Sequence, residues 1–237
     1  MISVSRCSFT PQKSVRLMNR TILYSAVVAM IAGLTGCAQE DPYYTTTEIK
    51  FLDSVATQPA PKEQFTSLPL TLNSGETSTL TQLSGGKNLV VVFTRGFSGA
   101  VCPYCSAQTS SLVMQYPEFQ KRNTEVVVIY PLNNAEEGAR RGMFLERVNL
   151  LNQAPPDREL PFPLVVDFGL KAVDLLGIRK DLSKPATYIL DHRGNVRFAY
   201  VGESLADRPS VKAILAQLDQ LELAKTPSPS PAPPSGS

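Results

Sequence analysis

"NLVVVFTRGFSGAVCPYCSAQ", Asn88 to Gln108, decides the fold. It starts as a short apolar run, passes through a loop holding Gly96 and Gly99, and ends in Cys102-Pro103-Tyr104-Cys105. Three consecutive valines suit a strand buried on both faces. Ala107, Leu112, Val113, Tyr116 and Phe119 then fall near helical spacing, so the cysteines are expected where a strand hands over to a helix. A thiol at a helix N-terminus sits near the partial positive charge of unpaired amides, which favours thiolate over thiol. Pro103 fits the first helical position, where its missing N–H is harmless. Cys105 lies three residues on, on the same helix face and within bridging reach. Cys102 is therefore expected as the exposed attacking sulfur, and Cys105 as the less accessible resolving sulfur.

Two other uses of the pair compete with this one. A zinc site needs two further ligands, and the chain has one histidine, His192, with the remaining cysteines, Cys7 and Cys37, near the N-terminus. A purely structural disulfide closing so short a loop constrains the unfolded chain little. In an oxidising, exported compartment, redox exchange is the stronger reading. No metal and no cofactor is called for.

The export expectation comes from the N-terminus. "ILYSAVVAMIAGLTGC" follows Arg20, and Thr21 to Gln39 carries no charge. A positive start, an apolar run and small residues at its end make a signal peptide, expected over residues 1–36, with Met18 as an alternative start. Leu34-Thr35-Gly36-Cys37 resembles the bacterial lipobox, which implies lipidation of Cys37 and a membrane-anchored protein facing the periplasm or extracytoplasmic space. An uncleaved membrane anchor is the other reading. Four of the 23 basic residues precede residue 36 and none of the 21 acidic ones does, so its removal leaves 19 basic against 21 acidic groups. That balance gives no nucleic-acid footprint.

Residues 37–65 read as a membrane-tether spacer, with "EIKFLDSV" packing locally. Residues 66–223 read as the folded domain and 224–237, ending in "TPSPSPAPPSGS", as an extended, disordered tail. Within the domain, "LPLTL" and "TSTL" flank Asn73-Ser74-Gly75-Glu76 as a hairpin, and "EVVVIY" and "PLVVD" read as strands. Phe144, Leu145, Val148 and Leu151 form one helical stripe, and "GLKAVDLLG" a short helix. "ATYILD" and "VRFAYV" form a hairpin about His192-Arg193-Gly194-Asn195. Val211, Ile214, Leu215, Leu218 and Leu221 mark a last amphipathic helix. Strands alternating with helices argue an α/β sheet covered on both faces.

"NLVVVF…CPYC", "VDFGLKAVDLLGI" and "KPATYILDHRGNVRFAYVG" together resemble the redoxin branch of the thioredoxin-like superfamily. That branch holds AhpC/TSA peroxiredoxin-like proteins and TlpA/ResA-type thiol–disulfide oxidoreductases. The resemblance implies a thioredoxin-like fold with a central mixed sheet, an N-terminal hairpin and an inserted αβ unit over 135–167. It implies an oxidoreductase that uses Cys102 and Cys105 as a redox disulfide, or a thiol peroxidase with Cys102 as the peroxidatic cysteine. Its partners are then a disulfide-containing protein client or a peroxide, and an external thiol electron donor. A redoxin scaffold that only binds a partner is the non-catalytic alternative, and the intact cysteine pair argues against it. Pro185 is implied as the cis-proline beside the cysteines, and Arg95 as a candidate thiolate stabiliser. Three positions depart from the family patterns: Val101 replaces a Trp, Gly99 a Thr, and Val92 the buried Asp that serves the second cysteine. His192, in a hairpin turn, is expected to be exposed.

Overall fold

A computed structural model describes residues 49–61, 65–72 and 74–225. The expected signal peptide over 1–36, Cys37 and residues 226–237 lie outside the described residues. The described residues form one seven-stranded sheet in the order β2-β1-β5-β4-β3-β6-β7. The strands are β1 (Leu70–Thr71), β2 (Thr77–Ser78), β3 (Asn88–Phe93), β4 (Thr124–Leu132), β5 (Leu164–Phe168), β6 (Ala186–Leu190) and β7 (Val196–Val201). The helices are α1 (Leu80–Ser84), α2 (Pro103–Met114), α3 (Tyr116–Lys121), α4 (Ala139–Leu151), α5 (Lys171–Leu175) and α6 (Val211–Lys225). β3, β4 and β5 run parallel, while β6, β7, β1 and β2 extend the sheet antiparallel on either side.

Strand alternation sorts the valine runs onto two cores. Val90, Val92, Val126, Val128 and Tyr130 face one side, with Leu112, Phe119, Phe144, Val148, Ile214 and Leu218 packed over them. Leu89, Val91, Phe93, Val127 and Ile129 face the other, under Leu80, Ala172 and Val173. Both faces are therefore covered, as the uninterrupted apolar strands require. The two cysteines belong to the first core.

The hairpin about residue 74 is shorter than its sequence suggests. Thr79 caps α1, accepting the N–H of Gln82 while the Gln82 side chain accepts the N–H of Thr79. That reciprocal cap turns the end of "TSTL" into a helix start. The predicted helix after the cysteines breaks at Gln115, and Pro117 lies in the first turn of the separate helix α3. Leu151 leaves its predicted stripe: it is 42% exposed, and Asn149 is buried in its neighbourhood because its amide donates to the carbonyls of Pro156 and Arg158. α6 runs to Lys225, into the first residues expected for the tail.

The Asp-x-x-Gly hairpin closes on its carboxylate. Asp191 accepts the N–H groups of Arg193 and Asn195, the Asn195 amide and the Arg197 guanidinium. Burial pushes its carboxyl up, but these bonds outweigh burial and bring it down to about 2. His192 is exposed at the turn.

Part of the predicted spacer is built into the domain. Leu52 bridges to Pro209: its N–H donates to the Arg208 carbonyl at 2.9 Å, and its own carbonyl accepts from Ser210 at 2.8 Å. Gln58 donates to Ala199 and brackets Val201 with its amide, so this strap lies along β7. Among the described residues no helix is long and apolar enough to cross a membrane.

Candidate active site

Cys102 is the N-cap of α2, with extended φ and ψ of −69° and 116°, and its sulfur accepts the N–H of Cys105 at 3.3 Å. Pro103 occupies the first turn. Cys105 sits one turn in, and both thiols are free in this structure. The strand–loop–helix order and the shared helix face match the sequence expectation.

The exposure of Cys102 does not. Cys102 is 4% exposed and Cys105 0%. Val101 is buried beside it, and Phe97, Tyr104 and Leu205 pack against the same cluster. The Arg140 guanidinium lies over the Phe97 ring, 4.7 Å from its centroid. Cys102 is thus enclosed within this cluster instead of open to solvent.

Arg95 also acts otherwise than its side chain suggests. Its backbone N–H donates to the Cys105 sulfur at 3.3 Å, while its guanidinium pairs with Asp181 at 3.0 Å. The guanidinium at the sulfur belongs to Arg208, in the loop after β7. Its Nη2 donates to Cys105 Sγ at 3.1 Å, its Nη1 to Gln108 Oε1 at 2.8 Å and its Nε to the Leu205 carbonyl at 2.7 Å. Arg208 is 1% exposed. Val92, at the position of the family's buried acid, is an ordinary core valine.

These contacts place the pair's charge on the inner sulfur. Burial pushes the Cys105 thiol up. The hydrogen bond from Cys102, the charge of Arg208 and the Arg95 N–H together outweigh burial and bring it down to about 6. Cys102, hydrogen-bonded to that sulfur, buried and facing its charge, is pushed well up. Between the two sulfurs, these contacts favour the negative charge on Cys105 and the proton on Cys102.

Tyr130 of β4 stacks on Phe144 with ring centroids 4.8 Å apart. Its hydroxyl is buried without a hydrogen-bond partner. Burial, and after it the charges of Cys105 and Cys102, push the phenol up.

Pro185 precedes β6, and the Lys184–Pro185 bond is trans, as the great majority of X–Pro bonds are. The cis geometry implied by the family resemblance is not adopted. Pro185 lines a cleft with Arg95, Lys184 and Leu205, and its carbonyl accepts the N–H of Gly202 at 2.8 Å. It is thus beside the loop that holds Arg95 and the loop that leads to Arg208.

Arg208, Gln108 and Tyr130 are not legible in the sequence as site residues. Gln108 carries a usable signal, being three residues from Cys105 on one helix face. Arg208 carries none, because it arrives from more than a hundred positions downstream.

A buried dithiol at the head of a helix, on a mixed sheet of this order, defines a thioredoxin-like thiol oxidoreductase. Residues 57–199 match the AhpC/TSA family, and the chain belongs to that family. It is similar to the thiol–disulfide oxidoreductase ResA of Halalkalibacterium halodurans, 26% identical over 106 residues, or 45% of this chain and 51% of that protein. The match therefore spans about half the length of that curated relative. Among solved structures, a cysteine-to-serine mutant of peroxiredoxin 6 of Arenicola marina aligns with a TM-score of 0.59 at 17% identity, covering 76% of this chain and 82% of that one. A yeast mitochondrial 1-Cys peroxiredoxin aligns at 0.58 and 13% identity, covering 76% and 85%. Mycobacterium bovis AhpC aligns at 0.54 and 19% identity, covering 72% and 97%. At these identities the likenesses establish the fold.

Proposed function

We propose that this protein is a thiol–disulfide oxidoreductase that acts outside the cytoplasm, held to a membrane of a bacterial envelope by lipid on Cys37. The observation that carries the catalytic part is the asymmetric thiol pair: Cys102 caps α2, while the Cys105 sulfur accepts from Arg208 and the Arg95 N–H. The ResA-like stretch supports the same reading. The anchor rests on the signal and lipobox pattern.

The steps balance as follows. Cys102 passes its proton to the Cys105 thiolate, and the resulting Cys102 thiolate attacks a client disulfide. A client–Cys102 bond forms and the first client sulfur leaves as thiolate, which takes the proton from Cys105. The Cys105 thiolate then attacks the Cys102 sulfur. The Cys102–Cys105 bond closes, and the second client sulfur leaves as thiolate. Two electrons pass to the client, and an external dithiol returns them. No buried carboxylate is needed, because the outgoing client thiolate is the base. Access requires the cover over Cys102 to open, since the residue is 4% exposed.

One observation favours a second reading, a peroxidase. Cys102 is nearly enclosed and an unpartnered phenol, Tyr130, shares its surroundings, which suits a small oxidant. Cys102 would then cleave a peroxide O–O bond to give a sulfenic acid and an alkoxide or hydroxide. Cys105 would condense with the sulfenic acid and release water.

The experiment mixes reduced protein with hydrogen peroxide and, separately, with a disulfide-bonded protein client. Fast client reduction with slow peroxide consumption is expected. Fast peroxide consumption with Cys102 sulfenic acid, slowed in Tyr130→Phe, overturns it in favour of the peroxidase. For the anchor, the full chain is expected in the membrane fraction and Cys37→Ser outside it; a variant that stays bound overturns the lipid attachment.

A further inference from the structure

Arg208 is a charged group taken fully out of water. Its guanidinium bonds are to a carbonyl, to an amide oxygen and to the Cys105 sulfur, and among the described residues no carboxylate pairs with it. A buried cation without a counter-charge is strongly destabilising. The sulfur at 3.1 Å is the one partner that can carry negative charge. Resting on the dithiol–disulfide reading above, we infer that Arg208 is the counter-ion of the Cys105 thiolate and a positioning residue that biases the pair towards its reduced state.

The consequence is redox-linked. In the dithiol, charge and counter-charge are both buried and satisfied. When the Cys102–Cys105 bond closes, Cys105 becomes a neutral sulfur and Arg208 is left with two neutral acceptors. The oxidised state therefore bears the cost of an uncompensated buried cation, and the pair holds electrons more firmly than an otherwise equal pair without the arginine. A stabilised reduced form is what makes a dithiol couple oxidising. The inference concerns the inner sulfur. Cys102 receives no guanidinium: its partners are the Cys105 N–H and the Cys105 sulfur.

The surroundings leave little else to set this charge. From α2, Cys102 and Gln108 face the sulfur; from the loop after β3, the Arg95 N–H faces it, with that residue's guanidinium turned away to Asp181. From β4, the Tyr130 phenol adds a neutral group. From the loop after β7 comes Arg208. That loop is held at its backbone: the Leu52 N–H donates to the Arg208 carbonyl, and the Gln108 side-chain amide donates to the Pro209 carbonyl at 3.4 Å.

The test titrates the thiolate of the reduced full chain by its ultraviolet absorbance, and equilibrates the pair with glutathione at pH 7. Three variants are compared with the wild type. Arg208→Met removes the cation. Arg208→Lys keeps a charge without the fork. Gln108→Glu, nearly isosteric, offers Arg208 a carboxylate in place of an amide and remains informative if Arg208→Met fails to fold. Arg208→Met and Gln108→Glu are expected to move the low thiolate titration up to the ordinary thiol range, about 8.5. Both should also lower the equilibrium constant for reduction about tenfold, or about 30 mV. Arg208→Lys is expected to recover part of each shift. A folded Arg208→Met or Gln108→Glu whose titration stays with the wild type overturns the inference. The titration uses no client, so failure to reduce a client with the titration intact counts against the proposed function alone.

Discussion

The N–H of Cys105 points at the sulfur of Cys102 from 3.3 Å, so the outer cysteine of the pair is itself the helix cap. The two sulfurs are thereby unequal before any substrate arrives. Serine retains an oxygen able to accept the same N–H and caps helices well. Cys102→Ser is therefore expected to fold with α2 intact and to lose activity by about a thousandfold or more. Cys105→Ser removes both the acceptor of the Cys102 proton and the charge opposite Arg208, so it is expected to be less stable, to attack slowly and to stall as a mixed disulfide. Non-reducing electrophoresis with a client reads both, and a trapped adduct on Cys105 in Cys102→Ser would reverse the assignment of roles.

Stability of the reduced protein should pass through a maximum with pH. The Cys105 thiol is lowered to about 6, so its contribution is complete above the unfolded thiol value, about 8.5, and is lost as pH falls through 6. Cys102 is raised, so its contribution is complete below the unfolded value and is lost as pH rises beyond it. Between about 6 and about 8.5 the unfolded pair binds one proton more than the folded pair, and stability rises. Above about 9 the folded pair keeps a proton that the unfolded pair has released, and stability falls. Each limb has a ceiling near ~1.4 kcal/mol per pH unit. Urea midpoints of the reduced protein across this range test it; the disulfide form, with neither thiol, should lack both limbs.

Why the fold is readable and half the site is not follows from sequence distance. β3, β4 and β6 are legible because burial on both faces forces unbroken apolar runs, and α2 because its cap and Pro103 lie beside each other in the motif. At α1 and α3 local chemistry overrides periodicity: a Thr79–Gln82 box, and Pro117. The cysteine pair is legible as a motif. The group holding its charge is not, since Arg208 meets Cys105 only after β7 has turned back across the sheet. Burial of Cys102 is equally hidden: nothing in the motif says that Val101 is buried with it or that Phe97 and Leu205 pack against the same cluster.

Gly96 is where the loop after β3 is least replaceable. It has φ of +82°, and a Cβ there would lie 2.4 Å from the Pro131 carbonyl oxygen and 2.9 Å from Leu182 Cδ1. Backbone cannot yield as a side-chain end can, so Gly96→Ala must move the loop off β4. The neighbouring Arg95 N–H then leaves the Cys105 sulfur. A loss of about 1–3 kcal/mol is expected, with a raised thiolate titration. Gly99 has the same φ but open space around it, so Gly99→Ala should carry the backbone strain alone and leave the titration in place. Chemical denaturation and thiolate absorbance of the two variants separate loop position from glycine flexibility; equal titration shifts in both would refute the role given to Gly96.

Leu52 lies before the first family-matched residue, 57, yet its N–H and carbonyl grip the backbone on both sides of Pro209. Asp53 adds bonds from the Ser210 hydroxyl and the Lys212 ammonium. This part of the strap and the segment carrying Arg208, which it holds, both lie outside the family-matched residues 57–199. Leu52→Pro removes the N–H that meets the Arg208 carbonyl, at an expected cost of about 1 kcal/mol. Arg208 should then hold the sulfur less firmly. The thiolate titration should rise and the glutathione equilibrium shift towards disulfide, in the direction of Arg208→Met but by less. Asp53→Ala, which leaves the Leu52 bonds in place, should shift both by less still. The ordering Arg208→Met, Leu52→Pro, Asp53→Ala is the result to measure. A Leu52→Pro protein with the wild-type titration would mean that Leu205, Gln108 and Pro209 hold the arginine without the strap.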